Sequence, residues 1–198
     1  EALARYGELL LQDGRRDEAL ETLRRANQLD PSDDMTRELM VTTLLGGLRD
    51  DFAANANTVN EIDRLIDRPA QRSEYLRLMA RGWQRQGQIR KAFDACLQLA
   101  ELKSDSSLGL AAAELEPVDE NLKTRIDRWL QARFGELLAA AAPDDRSYMD
   151  EVIGRYRDDA LAGGEISSLR RFAGMFAAHP AALPVQLRLA TRLADARE

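Results

Sequence analysis

Cysteine, histidine and aromatic side chains are scarce in this sequence. Its 198 residues include one cysteine, Cys96, and one histidine, His179, and only 6% are aromatic. A single cysteine excludes an internal disulfide and a cysteine-built zinc site, and a single histidine leaves little room for histidine-dependent chemistry. Long apolar runs are also lacking, because the longest stretch without a charged residue, Phe172–Leu187, is interrupted by Pro180 and Pro184. No membrane span is therefore predicted.

Charge is distributed unevenly along the chain. The net charge is −6, yet residues 64–91 carry eight basic and two acidic side chains. An acidic average argues against nucleic-acid binding, because the neutralisation of phosphates needs a dominant basic face. The basic block at residues 64–91 is therefore the one local electrostatic signal in the sequence.

Apolar residues recur with the period of an α-helix throughout the chain, and no segment alternates with period two. With 44% hydrophobic and 31% charged residues, the composition is typical of a folded domain. Short helices joined by short loops favour a stack of antiparallel helix pairs. Gly46 and Gly47 are expected to end the third helix. Helices are predicted at about residues 2–12, 16–29, 34–45, 51–66, 73–86, 89–102, 119–141, 145–162, 166–178 and 183–196.

Two segments of the chain resemble each other. In both, a glycine that ends a helix is followed five residues later by an alanine: Gly14 with Ala19, and Gly87 with Ala92. Self-similarity of this kind is typical of repeat proteins. The offset of 73 residues equals two units of 34 residues with five residues added.

The spacing of small residues resembles the tetratricopeptide repeat family. That resemblance implies an all-α fold, an α-α superhelix in which antiparallel hairpins stack as a solenoid and small residues let the helices approach closely. It also implies a concave face that binds proteins. Similar repeat segments occur in large bacterial proteins. The matching positions are Gly7, Gly14, Ala19, Leu23, Ala26 and Pro31 in the first unit, Ala53 in the second, and Ala80, Trp83, Gly87 and Ala92 in the third.

Three regions are predicted along the chain. Residues 1–104 are interpreted as about three tetratricopeptide-like hairpins, the second of them irregular. Residues 105–118, which are poorly patterned and rich in serine, are interpreted as a linker. Residues 119–198 are expected to add further hairpins that continue the superhelix. Because Glu1 already lies inside a helical pattern, the chain is expected to be a segment of a longer protein.

Arg77, Arg81 and Arg85 are spaced by four residues and form one stripe along the fifth predicted helix. In the family pattern, Arg77 and Arg81 fall where the first helix of a hairpin faces the concave groove. One interpretation is a docking strip for an acidic peptide or a terminal carboxylate, because arginine offers a bidentate fork. The other is a solvated face paired with Glu74, Asp67 or acids of the neighbouring hairpin, which is the commoner role of charged helix faces.

The remaining chemically distinctive residues have structural explanations. His179 is expected to cap a helix or lie in solvent, and Cys96 to be buried as a small apolar residue. Trp83 and Trp129 lie on apolar stripes and are expected to pack in the core. No phosphate-binding loop, nucleophile motif or metal-ligand spacing occurs, so no catalytic residue, metal site or cofactor is predicted.

The sequence thus favours a noncatalytic helical-repeat scaffold that binds a protein or peptide, including an acidic one or another domain of the same parent chain. One alternative is a homo-oligomerisation element that pairs two copies through exposed apolar stripes. Another is an enzyme built on helical hairpins, which would require two acids with displaced pKa values in one deep pocket.

Overall fold

The computed structural model describes residues 2–104, 115–117 and 123–196. Helices make up almost all of this part of the chain, which confirms the predicted all-α class. The elements are α1 (Ala2–Gln12), α2 (Arg16–Leu29), α3 (Asp34–Asp50), α4 (Phe52–Asn55), a 3-10 turn (Ala56–Thr58), α5 (Val59–Leu65), α6 (Pro69–Arg85), α7 (Ile89–Ser104), β1 (Leu115–Pro117), β2 (Lys123–Arg125), α8 (Ile126–Ala140), α9 (Pro143–Gly163), α10 (Ile166–Met175) and α11 (Ala182–Asp195).

The chain forms two compact units, Glu1–Leu78 and Met79–Glu198, whose boundary falls within α6. The division into repeats at 1–104, a linker at 105–118 and further hairpins at 119–198 stays a prediction. Of the predicted linker, the structure describes only Leu115–Pro117.

The first unit is built on the α1–α2 hairpin, whose helices begin and end at the predicted residues. Small residues lie buried where the two helices meet, with Gly7 of α1 against Leu23 of α2 and with Ala19 fully buried. The small positions of the family pattern therefore let the two backbones approach here, as predicted. Ala53, which matches the same pattern in the second predicted repeat, is exposed in α4 instead.

The turns after α1 and α6 have the same geometry. Gly14 and Gly87 both adopt positive φ, at 77° and 71°. After α1, the Gly14 N–H donates to the Leu11 carbonyl and the next N–H, of Arg15, donates to the Leu10 carbonyl. The bonds made by residues 87 and 88 repeat this arrangement. Both turns are Schellman caps, in which glycine avoids the cost of the left-handed conformation. The internal similarity noted in the sequence therefore corresponds to a shared turn.

The middle of the first unit departs from the predicted boundaries. Helix α3 does not stop at Gly46 and Gly47 but continues to Asp50. The single helix predicted at 51–66 is divided into α4, a 3-10 turn and α5. Side-chain hydrogen bonds explain the interruption, because Asn55 donates to the carbonyls of Gly47 and Asp51 and so competes with regular helix geometry.

The core of the second unit is a column of aromatic rings. Phe93 of α7 meets Phe134 of α8 edge to face at 5.5 Å, and Phe134 meets Phe176 at 4.9 Å. Phe176, which follows α10, also contacts Phe172 at 5.1 Å. Tyr148 of α9 completes the column through its contact with Phe93 at 6.4 Å. These rings join four helices around one apolar centre.

The start of α8 differs from the prediction of a helix beginning at residue 119. The helix begins at Ile126 and is preceded by β2, which pairs antiparallel with β1. Leu115 lies opposite Arg125, and Pro117 lies opposite Lys123. These three-residue strands were not predicted, because segments this short leave no measurable alternation in a sequence.

Candidate partner-binding site

The predicted arginine stripe lies on α6, with its members divided between the two units. Arg77 belongs to the first unit and is half-buried, whereas Arg81 and Arg85 belong to the second. Arg81 is half-buried, and Arg85 is exposed at the end of the helix. Neither Arg77 nor Arg81 is without a partner.

In the second unit, Arg81 forms a cluster with two residues of α8. The Arg81 guanidinium lies 5.7 Å from the centre of the Trp129 ring, and the Arg133 guanidinium lies 5.2 Å from it. Trp129 is 4% exposed, so the indole is held in the core while two cations contact its ring. Such cation–π contacts stabilise guanidinium groups that have lost part of their hydration. We call Arg81, Arg85, Trp129 and Arg133 the cationic cluster.

A hydrogen-bond network fixes Arg133 between α6 and α8. Its Nη1 atom donates to the Gln84 side-chain oxygen at 2.6 Å and to Glu136 Oε2 at 2.8 Å. The Gln84 amide also donates to Glu136 Oε2, at 3.3 Å. Glu136 is therefore the acid that partly offsets the positive charge of the cluster.

The electrostatics of the cluster show an excess of positive charge. Burial, with the neighbouring charges of Arg133 and Arg85, lowers the pKa of the Arg81 guanidinium. Two donors in the cluster, Arg133 Nε and Trp129 Nε1, are buried and make no hydrogen bond. An unpaired buried donor is costly to the fold. The arrangement is chemically suited to bind a carboxylate or another anion.

Three other arginines of the basic block form ion pairs within their own units. In the first unit Arg68 pairs with Glu38 at 2.7 Å, and Arg72 pairs with Asp63. In the second, Arg90 pairs with Asp145 at 2.6 Å. These three arginines are therefore paired with acids, whereas the choice between the two interpretations of the stripe stays a prediction. Of the acids named as partners for the stripe, Glu74 also pairs with Arg49, and Asp67 with Arg37.

The other singled-out residues have structural roles. His179 Nδ1 accepts from the Ala181 N–H just before α11 at 3.1 Å, and Nε2 lies 2.9 Å from Asp150 Oδ1. The imidazole therefore has polar partners on both nitrogens and does not lie in solvent. Cys96 is fully buried, as predicted, and burial raises its pKa to about 12. Trp83 is half-buried beneath the Lys91 ammonium, which lies 4.4 Å from the ring centre.

Arg133 was missed by sequence reasoning, although a signal for it was present. It stands one helical turn after Trp129 on α8, so the two side chains share a face of that helix. Periodicity identified the tryptophan as a core residue, but it did not indicate that an arginine on the same face would lie over the ring.

Two further findings concern membrane-spanning helices and metal sites. No helix in the described part of the chain is both long and apolar enough to cross a lipid bilayer. Within the described ranges, no three histidine, cysteine or acidic side chains come together in a way that could hold a metal ion.

The α1–α2 hairpin, with glycine and alanine where its helices meet, has the build of a helical-repeat unit. Residues 1–43, which include α1, α2 and the start of α3, match the family model described as tetratricopeptide repeat. The match confirms the resemblance to this repeat family at the α1–α2 hairpin. No curated protein and no solved structure matches the chain. The chain is a helical-repeat scaffold of a type that generally takes part in protein–protein interaction.

Proposed function

We propose that this protein is a noncatalytic scaffold whose cationic cluster binds an acidic segment of a protein partner. The observation that carries the proposal is the placement of two guanidinium groups over one buried indole, with Arg85 adding a third positive charge beside them. An acidic side chain supplies the negative charge that the cluster attracts. Arg85 extends the positive surface to the exposed end of α6.

The proposal is tested with an array of acidic, neutral and basic peptides. The test variant is Arg81→Glu/Arg85→Glu, and the matched control is Arg155→Glu/Arg188→Glu, which makes the same change of net charge at exposed residues of the second unit. Wild type and control should retain acidic peptides, and the test variant should lose them. Equal loss in both variants would show attraction by net charge alone and would reject the cluster as the site. Circular dichroism checks that each variant is folded.

Arg77 is tested separately, because it belongs to the first unit. If it also anchors the partner, Arg77→Glu alone weakens retention of the acidic peptides. Retention at the wild-type level would remove Arg77 from the predicted set.

The enzyme alternative is not favoured by the carboxyl groups of the described residues. Hydrogen bonds from Arg15 and Thr36 lower the pKa of Glu18 and of Asp33, respectively. Hydrogen bonds from His179 and Arg146 outweigh burial and lower the pKa of Asp150. A general acid needs a shift in the opposite direction.

A second candidate function, self-association, is favoured by the outer face of α11. Leu183 and Leu187 stand one helical turn apart and are 61% and 63% exposed. Adjacent exposed leucines are typical of a surface that packs against another protein. Sedimentation velocity over a concentration series tests this: the wild type should form dimers and Leu183→Glu/Leu187→Glu should remain monomeric. A wild type that stays monomeric throughout would contradict self-association.

A further inference from the structure

The second unit contains a cavity that belongs to neither of these surfaces. It lies among α7, α8 and α10 and has a volume of about 540 Å³. Cavities of roughly 300–1,000 Å³ are the usual size for small organic ligands. Its described lining is divided into an apolar floor and a polar rim.

The floor of the cavity consists of apolar side chains from all three helices. Ala100 comes from α7, Ile126 and Leu130 from α8, and Met175 from α10. Each of them is less than a tenth exposed. A floor of this kind favours the apolar part of a ligand, because contact with it removes hydrocarbon from water.

The rim of the cavity carries positive charge and hydroxyl groups. Arg125, Arg170 and Arg171 line it, with Asp127 as the one acid among the described lining residues. Arg125 is already held by Asp127 through two hydrogen bonds, of 3.1 and 2.8 Å. Arg170 and Arg171 lie on α10 beside Ser167 and Ser168. The Ser167 hydroxyl donates to Glu165 Oε2 at 3.5 Å, which leaves the Ser168 hydroxyl as the serine donor for an anion. The rim therefore combines a net positive charge with hydrogen-bond donors.

We infer that this cavity binds an anionic amphiphile, a molecule with one carboxylate and an unbranched apolar body. The apolar body contacts Leu130 and Met175 on the floor, and the carboxylate is held at the rim by Arg170 and the Ser168 hydroxyl. A neutral amphiphile of the same length contacts the floor equally well but gains no ion pair at the rim. A cationic one is repelled by the rim arginines. The charge of the head group is thus the specificity element of the site.

Gly174 supplies a way to close the cavity without disturbing the fold. It lies on α10, lines the cavity, and has no atom within 4 Å of the position that a Cβ would take. Leucine at this position projects into the cavity, and it favours the helical conformation more than glycine does. Gly154 on α9 also has no atom within 4 Å of that position, and it does not line the cavity. Gly154→Leu is therefore the matched control.

The test is isothermal titration of the protein with decanoate, decanol and decyltrimethylammonium. We expect decanoate to bind with one-to-one stoichiometry, and the neutral and cationic probes to bind at least about tenfold more weakly. Gly174→Leu should weaken decanoate binding by about tenfold or more, and Gly154→Leu should leave it unchanged. Arg170→Gln should weaken decanoate by about tenfold and leave decanol unchanged.

Three results would overturn the inference. The first is wild-type protein that does not bind decanoate, and the second is equal binding of decanoate by wild type and Gly174→Leu. The third is equal affinity for decanoate and decanol, which would leave an apolar cavity without anion selectivity. Thermal melting of Gly174→Leu checks that the variant is folded, and Arg170→Gln tests the rim independently of it.

Discussion

Gly7 of α1 lies directly against Leu23 of α2, because a methyl group built on Gly7 would come within 2.8 Å of the Leu23 Cγ and Cδ2 atoms. Leu23 is fully buried, so its side chain has little room to move aside. The close crossing of the first hairpin therefore depends on the absence of a side chain at residue 7.

Replacing that glycine should destabilise the first unit. We expect Gly7→Ala to lower the free energy of unfolding by about 1–3 kcal/mol, because the added methyl group overpacks the crossing. Gly46→Ala is the control: it lies within α3, its nearest neighbour is the flexible Arg16 guanidinium at 3.5 Å, and it should be neutral or stabilising by up to about 1 kcal/mol. Urea unfolding followed by circular dichroism measures both variants, and equal stability of Gly7→Ala and wild type would contradict the prediction.

The cap of α3 should make stability sensitive to acid. The Asp33 carboxylate accepts from the Met35 N–H at 3.2 Å and from the Thr36 hydroxyl at 2.6 Å, and these bonds lower its pKa. A lowered pKa stabilises the fold above the unfolded-state value and loses that contribution as the pH falls through the folded-state value. Asp33→Asn, which keeps an acceptor but cannot titrate, should lose less thermal stability than wild type between about pH 6 and about pH 2. Parallel curves would show that the cap does not contribute to the acid response.

Stability should also fall at alkaline pH through Tyr75. Its hydroxyl donates to the Val59 carbonyl at 3.2 Å, and burial raises its pKa to about 12. A raised pKa contributes stability below the unfolded value, near 10, that is lost as the pH rises through the folded value. Tyr75→Phe should therefore show a smaller loss of unfolding free energy than wild type between about pH 10 and about pH 12. Tyr6→Phe changes an exposed ring and should follow the wild type; if Tyr75→Phe does so too, the prediction is wrong.

Cys96 should be unreactive in the folded protein. It is fully buried, and burial raises its pKa to about 12, so the thiolate that attacks disulfide reagents is almost absent at neutral pH. We expect an aromatic disulfide reagent to leave the native protein unmodified and to label one thiol per chain after unfolding in urea. Rapid labelling without denaturant would show that the thiol is accessible.

The sequence predicted the bounds of the helices best where each local signal had a single structural explanation. Helices α1 and α2 match their predicted bounds because Gly14 both breaks the periodic pattern and adopts the left-handed conformation. Gly46 and Gly47 break the pattern equally well but have no positive φ, and the helix passes through them. Gly47 instead makes room for Asn55, whose side-chain oxygen would lie 3.1 Å from an added Cβ. Periodicity alone does not distinguish a glycine that ends a helix from one that accommodates a neighbour.

The candidate site was predicted in part. Spacing placed Arg81 and Arg85 on one face of α6, which the structure shows. Arg133 and Trp129 come from a helix more than 40 residues later in the chain. No pattern in a single sequence records which face of α8 would meet α6, because that depends on tertiary packing. The rim of the cavity was missed for the same reason.

The aromatic column of the second unit has a consequence for how that unit melts. Arrays of repeats touch only their nearest neighbours and commonly fray from one end. Here Phe134 of α8 contacts both Phe93 of α7 and Phe176, which follows α10, so the rings also couple parts of the chain that are separated by α9. Losing any one of these rings weakens contacts on either side of it. The described helices of the second unit are thus expected to unfold cooperatively, as one block, rather than one helix at a time.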